Sequence, residues 1–235
     1  METRYRELLD SKGRALIDRI ESYGSAEIGI EQCDEGPACV VSEEEATICF
    51  PNLDSISPEA FVHELLHIER NWPERVPQLF SNVEEPRRIQ AIGTIDNDIE
   101  HLVIGPKIAD YGFDPHDHWN RKIAEKWRMR FWERTQGAQD LRANLLLGYL
   151  TAQFLVSDES IKEGTDDVLR ANGFLAEGLQ FVSEMRGALA SKEQMVSIAV
   201  HYLGMPLDSV RLDLFDIQQR HRIMTQIPQW NPHGQ

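Results

Sequence analysis

The chain has 235 residues, 41% of them apolar and 27% charged, with a formal net charge of −15, the profile of a globular protein large enough to bury a core. That charge excludes a phosphate-tracking nucleic-acid binder, which needs clustered Lys and Arg to displace counterions. No run approaches the roughly 18 consecutive apolar residues of a membrane span, and the opening Met1-Glu2-Thr3-Arg4-Tyr5-Arg6 lacks the apolar core of a secretory signal, so the reading is a cytoplasmic protein without a membrane partner.

Residues 4–23 place Leu8, Leu9, Leu16, Ile17 and Ile20 at helical spacing, and Gly24-Ser25 breaks the pattern. Three short stretches with strand character follow, at 26–31, 38–41 and 46–50. The spacers Cys33 to Pro37 and Ser42 to Glu44 look like hairpin turns, so the expectation is a small antiparallel sheet. Cys33, Cys39 and Cys49 are too few and too unevenly spaced for a disulfide framework or a metal knuckle, and are expected as free thiols. Ser57-Pro58-Glu59 then opens a helix: Ser as N-cap, Pro in the first turn, Glu against the dipole. Trp72-Pro73 closes that helix near Asn71, and a second runs from about Pro86 to Ile104, ended by Gly105-Pro106.

Beyond that the pattern is helical, over about 116–135, 138–156, 159–172, 174–188 and 191–203, with one more expected around 207–222 and a loosely attached tail. The basic run Arg121-Lys122 to Arg134 is interleaved with Glu125 and Glu133 and reads as a solvated helix face. Trp119, Trp127, Phe131 and Trp132 have the spacing of a buried face. The fold class is thus α+β, mostly helical: a core over 1–105 with a small sheet, then a helical region over 106–235.

The chemistry concentrates in His63-Glu64-Leu65-Leu66-His67. Histidines four residues apart on a helix project from one face and can share one ion. Glu64 lies about 100° around from His63, placed to hold a water rather than the metal. Phe61, Val62, Leu65, Leu66 and Ile68 fill an apolar arc that leaves both histidines out. A catalytic zinc takes three protein ligands and keeps a fourth position open. The next candidates lie at Asp96-Asn97-Asp98-Ile99-Glu100-His101. On that helix Ile92, Ile95, Ile99, Leu102 and Val103 define the buried stripe, with Glu100 at its margin and His101 pointing nearly away, so Glu100 is preferred as third ligand and His101 is the alternative. Asp96, one turn earlier, is a candidate to orient His63 or His67. His116 and His118, in Asp114-Pro115-His116-Asp117-His118, and Tyr111 are candidates to contact substrate or the transition state; the Asp114-Pro115 step also reads as a helix cap.

A short sheet, a helix bearing HExxH and a later helix supplying Glu resemble the gluzincin branch of zinc metallopeptidases, over about residues 26–104. The resemblance implies a zincin-like core, Zn2+ on His63 and His67, Glu64 as general base, Glu100 as third ligand and a peptide or protein substrate. It also implies a sheet edge strand, assigned to Ala46 to Phe50, that pairs with extended substrate. The chain departs from the family pattern around the third ligand, where an Asn-Glu pair normally precedes an Asp. The metzincin variant is excluded, since Glu69 to Pro77 contains neither Gly nor His. The leading expectation is a zinc-dependent hydrolase, a metallopeptidase. The alternatives are a non-catalytic zinc-containing adaptor or regulator, and a carboxylate-bridged di-iron protein built on Glu64-x-x-His67 and Asp98-x-x-His101.

Overall fold

The order of elements follows from where the chain can cap, turn and bury itself. In the computed structural model, which describes residues 3–24, 27–34, 36–128 and 138–230, helices α1 (Thr3–Arg6) and α2 (Ser11–Tyr23) precede strands β1 (Glu27–Gln32), β2 (Ala38–Val41) and β3 (Glu45–Phe50). Then come α3 (Pro58–Asn71), β4 (Gln78–Ser81), α4 (Pro86–Lys107), a 3-10 turn at Ile108–Tyr111, and α5 (Asp117–Arg128). Helices α6 (Ala138–Leu155), α7 (Glu159–Ala171), α8 (Leu175–Ala188) and α9 (Lys192–Tyr202) lead to β5 (Val210–Asp216) and β6 (His221–Thr225). The expected α+β, mostly helical class holds. No described helix is long and apolar enough to cross a membrane.

Two compact units are formed, each from separated segments: Met1–Gln78 with Lys107–Phe113 and Leu212–Thr225, and Leu79–Pro106 with Asp114–Arg211 and Gln226–Gln235. Within these units α4 groups with the later helices and the last hairpin groups with the first unit.

In the first unit the helix expected over residues 4–23 is two helices. Asp10 caps the second, accepting a hydrogen bond from the Gly13 amide at 2.8 Å. The sheet order is β1-β3-β2. β2 pairs antiparallel with β3, turning at Ser42, whose hydroxyl accepts from the Glu44 and Glu45 amides. β1, however, runs parallel to β3, from Glu27↔Glu45 to Gln32↔Phe50, so the Cys33–Pro37 spacer is not a hairpin turn. Parallel neighbours need a crossover of about a dozen residues, and residues 33–44, β2 among them, supply it. None of the three cysteines is in a disulfide.

β3 buries Ala46, Ile48 and Phe50 on one face at period two, and Phe50 meets Phe61 of α3 edge-on at 5.9 Å. Helix α3 starts as its cap signals require, with Ser57 as N-cap and Pro58 in the first turn. It ends at Trp72, whose amide reaches the Ile68 carbonyl and whose indole N–H donates to the Ser42 carbonyl at 2.9 Å. Phe61, Val62, Leu65, Leu66 and Ile68 are each at most 1% exposed, and each contributes on the order of 1.5–3 kcal/mol.

The stretch expected to form a helix at 207–222 is instead the β5–β6 hairpin, paired from Leu212↔Thr225 to Asp216↔His221. Val210, Leu212 and Leu214 alternate with Arg211 and Asp213, a period of two that overrides the weaker helical reading.

In the second unit α4 passes through Gly105-Pro106 to Lys107 rather than stopping before them. Gly105 is there for packing: a Cβ on it would lie 2.7 Å from Leu155 Cδ2. The turn away from helix falls at Gly112, in the segment that belongs to the first unit, with φ of 85°. Trp119, Ile123, Ala152, Leu155 and Val156 form a core cluster, with Trp127 against it; Phe131, Trp132, Glu133 and Arg134 lie outside the described residues. β4 is followed by Asn82, whose amide donates to the Ser209 carbonyl at 2.8 Å just ahead of β5. The tail is held at Pro228, whose carbonyl accepts from the Ser197 hydroxyl at 2.6 Å.

Candidate metal centre

Helix α3 carries His63 and His67 one turn apart, with ring centroids 5.1 Å from each other. Glu64 between them is buried, 5% exposed. Burial pushes the pKa of its carboxyl up to about 7. The Cys39 thiol of β2 is its neighbour. Burial, then the Glu64 charge, raise that thiol well above its ordinary value, so Cys39 stays protonated.

Among the described residues, His63, His67 and His101 each offer one ligand atom, and these atoms all lie within 4.8 Å of one another. His101 is 5% exposed, not turned outward as its place on the helical wheel suggested. The reason is that α4 is covered on more than one side. Ile92, Ile99 and Leu102 fill the expected stripe, while the Trp119 ring covers His101 edge-on at 4.9 Å.

Glu100, the preferred ligand by sequence, has its carboxylate 2.7 Å from the Lys192 ammonium. Asp96 is 2.6 Å from the same ammonium and also accepts from the Leu79 amide at 3.0 Å. Burial raises the Asp96 pKa, against the pull of Lys192. Burial acts to lower that of Lys192, but Asp96 and Glu100 outweigh it and hold the ammonium charged. The sequence gives no hint of Lys192, which lies 92 residues from Glu100 and carries no spacing signature.

Tyr111 accepts from Arg19 at 3.0 Å, and Arg19 donates to Glu69 from two nitrogens at 2.9 and 2.8 Å. That network ties α2, α3 and the 3-10 turn together. His116 has its Nδ1 2.8 Å from the Leu155 carbonyl. Asp114 accepts from the His116 amide at 2.8 Å, an Asx turn that precedes α5 by two residues rather than an N-cap. His118 stacks edge-on against Trp119 at 5.3 Å, and partial desolvation of its ring, then Lys122 and Arg121, lower its pKa. The strand assigned to pair with substrate, β3, is central in its sheet and bonded on both sides, so it has no free edge to offer.

Comparison of the chain with models of known protein families, with curated proteins and with solved structures found no match. The three imidazoles are nonetheless placed where they could bind a metal ion.

Proposed function

We propose that the chain is a zinc-dependent hydrolase acting on peptide bonds, with His63, His67 and His101 as metal ligands and Glu64 as general base. One observation carries the reading: a buried carboxylate on the helix that presents two histidines from one face. When bound, the ion supplies Lewis-acid polarisation of the scissile carbonyl and lowers the pKa of water.

The protein's own part is positioning and proton handling. α3 fixes both imidazoles through its buried apolar arc. The Trp72 indole locks the end of that helix to the β2–β3 turn. Glu64, with a pKa near 7, takes a proton from water and returns it to the leaving amine at neutral pH. Cys39, held as a thiol, does not compete as an anion for the ion.

The test is metal analysis of the purified protein together with a Glu64→Gln variant assayed on a fluorogenic peptide library. The expected result is one zinc per chain in both proteins, unchanged circular dichroism, and turnover lost by at least about a hundredfold in the variant. Zinc-free, folded protein, or a variant as active as the wild type, overturns the proposal. A zinc-replete chain with no turnover on any peptide moves the assignment to the adaptor.

A further inference from the structure

We infer that Cys33 and Cys49 form a reversible disulfide, a thiol-exchange site on the open face of the first unit's sheet whose co-reactant is a small disulfide of the glutathione class. The inference stands apart from the metal-centre reading and holds or fails without it.

The sheet brings the two residues together. Side chains alternate from face to face along a strand. Ala46, Ile48 and Phe50 of β3 take the buried face, and Thr47 and Cys49 the other. Register sets Cys49 between Ala38 of β2 and Glu31 of β1, both exposed. Cys33 lies two positions beyond Glu31, and its amide continues the ladder by donating to the Phe50 carbonyl at 3.1 Å. It therefore falls on the same face as Cys49, one diagonal away. The two thiols share a hydrogen bond, and both residues are half-buried, so the pair can be reached from solvent. Cys39 is kept out of the pair by parity: it stands opposite Ile48, on the buried face. Burial, then the adjoining Cys33, raise the pKa of Cys49, so exchange through Cys49 quickens as pH rises.

Diagonal neighbours stand about 7–8 Å apart between Cα atoms, slightly beyond the roughly 4.4–6.8 Å of a relaxed disulfide. Cys33 lies just past Gln32, the last residue of β1, so the closing shift falls on a strand end rather than within the ladder. A disulfide closed against that resistance is easily reduced, which separates an exchange site from a permanent staple. In the reaction one protein thiolate attacks the small disulfide and releases a small thiol, leaving a mixed disulfide. The second protein thiol then loses its proton and displaces the other half. One protein S–S bond forms and one small-molecule S–S bond breaks, and both electrons and both protons leave on the two small thiols. The new bond closes the crossover that carries β2 and Ser42, whose carbonyl accepts from the Trp72 indole at the end of α3. Oxidation thus ties down the segment on which the HExxH helix is anchored.

The test takes the full chain, reduced and desalted, and incubates it with oxidised glutathione. Thiols titrated in denaturant should fall from three to one, with the intact mass lower by two hydrogens. Peptide mapping should join Cys33 to Cys49, and excess reduced glutathione should restore all three thiols. Cys39→Ser should still form the bond. Cys33→Ser should stop at a mixed disulfide on Cys49, and Cys49→Ser at one on Cys33, because the second thiol is missing. Should Cys49→Ser be insoluble, Cys33→Ser alone is a sufficient control. The inference is overturned by an oxidised wild type that keeps three thiols or stops at the mixed disulfide, or by a bond to Cys39. A Cys33–Cys49 bond that excess reduced glutathione leaves intact overturns it as well. None of these readouts depends on metal content or turnover, so they stand whatever becomes of the hydrolase assignment.

Discussion

At the scale of single residues, the charges that matter are those the chain has taken out of water. Asp216 is one. Burial works to raise its pKa, but the Gln219 amide at 3.1 Å and the Arg75 guanidinium at 3.3 Å outweigh that and hold it below the ordinary carboxylate value. A carboxyl depressed on folding stabilises the protein above its unfolded pKa of roughly 3.9 and loses that contribution as pH falls through the folded value. Melting temperature followed from pH 7 to pH 3 should show Asp216→Asn below wild type at neutral pH, with the gap closing at the acid end; a gap that stays constant is the contrary result. The buried lysine, by contrast, shows where residue-level reading of the sequence stops. His63, Glu64 and His67 announce themselves by spacing. Nothing in the local pattern says that Lys192 meets Glu100 or that Trp119 covers His101, because both contacts depend on which helices the fold brings beside α4.

At the scale of elements, legibility followed the strength of the stop and start signals. α3 was readable from its Ser-Pro-Glu opening and its Trp72-Pro73 end, both of which are used in the structure. α4 overran its expected end because a glycine before proline reads as a terminator, whereas Gly105 is a contact point for Leu155. The hairpin at the end of the chain was missed because a short alternating run next to several helices invites a helical period.

Two element-level outcomes follow. Trp72→Phe keeps the ring but loses the hydrogen bond to Ser42, leaving a carbonyl without its donor; urea unfolding should show a loss of about 1–2 kcal/mol, and no change would mean that the tether is idle. Gly178→Ala in α8 would bring a Cβ to 2.5 Å from Leu169 Cδ2 and 3.0 Å from the Tyr149 ring. Overpacking of about 1–3 kcal/mol should exceed the gain of about 1 kcal/mol in helix propensity, so the variant should unfold at lower urea. A more stable variant would show that the α8 contact has slack.

At the scale of the whole molecule, metal and fold are expected to be linked. An ion that binds only the native state stabilises it by RT ln(1 + [L]/Kd), about 2.7 kcal/mol at a hundredfold excess over Kd. Chelator should therefore lower the melting temperature of the wild type by several degrees and leave His63→Ala, which has lost a ligand, unmoved. Equal response of both proteins would dissociate stability from the histidines.

The first unit also takes its last piece from Leu212–Thr225, far along the chain from the HExxH helix it accompanies. Arg75 meets Asp216 across 141 positions, and Gln218 donates to the Tyr23 carbonyl across 195. During synthesis, then, the unit that carries His63 and His67 waits, unfinished, until residues 212–225 have left the ribosome. A fragment ending at residue 105 emerges without the hairpin grouped with its first unit, and expressing that piece alone should yield an aggregate rather than a folded body.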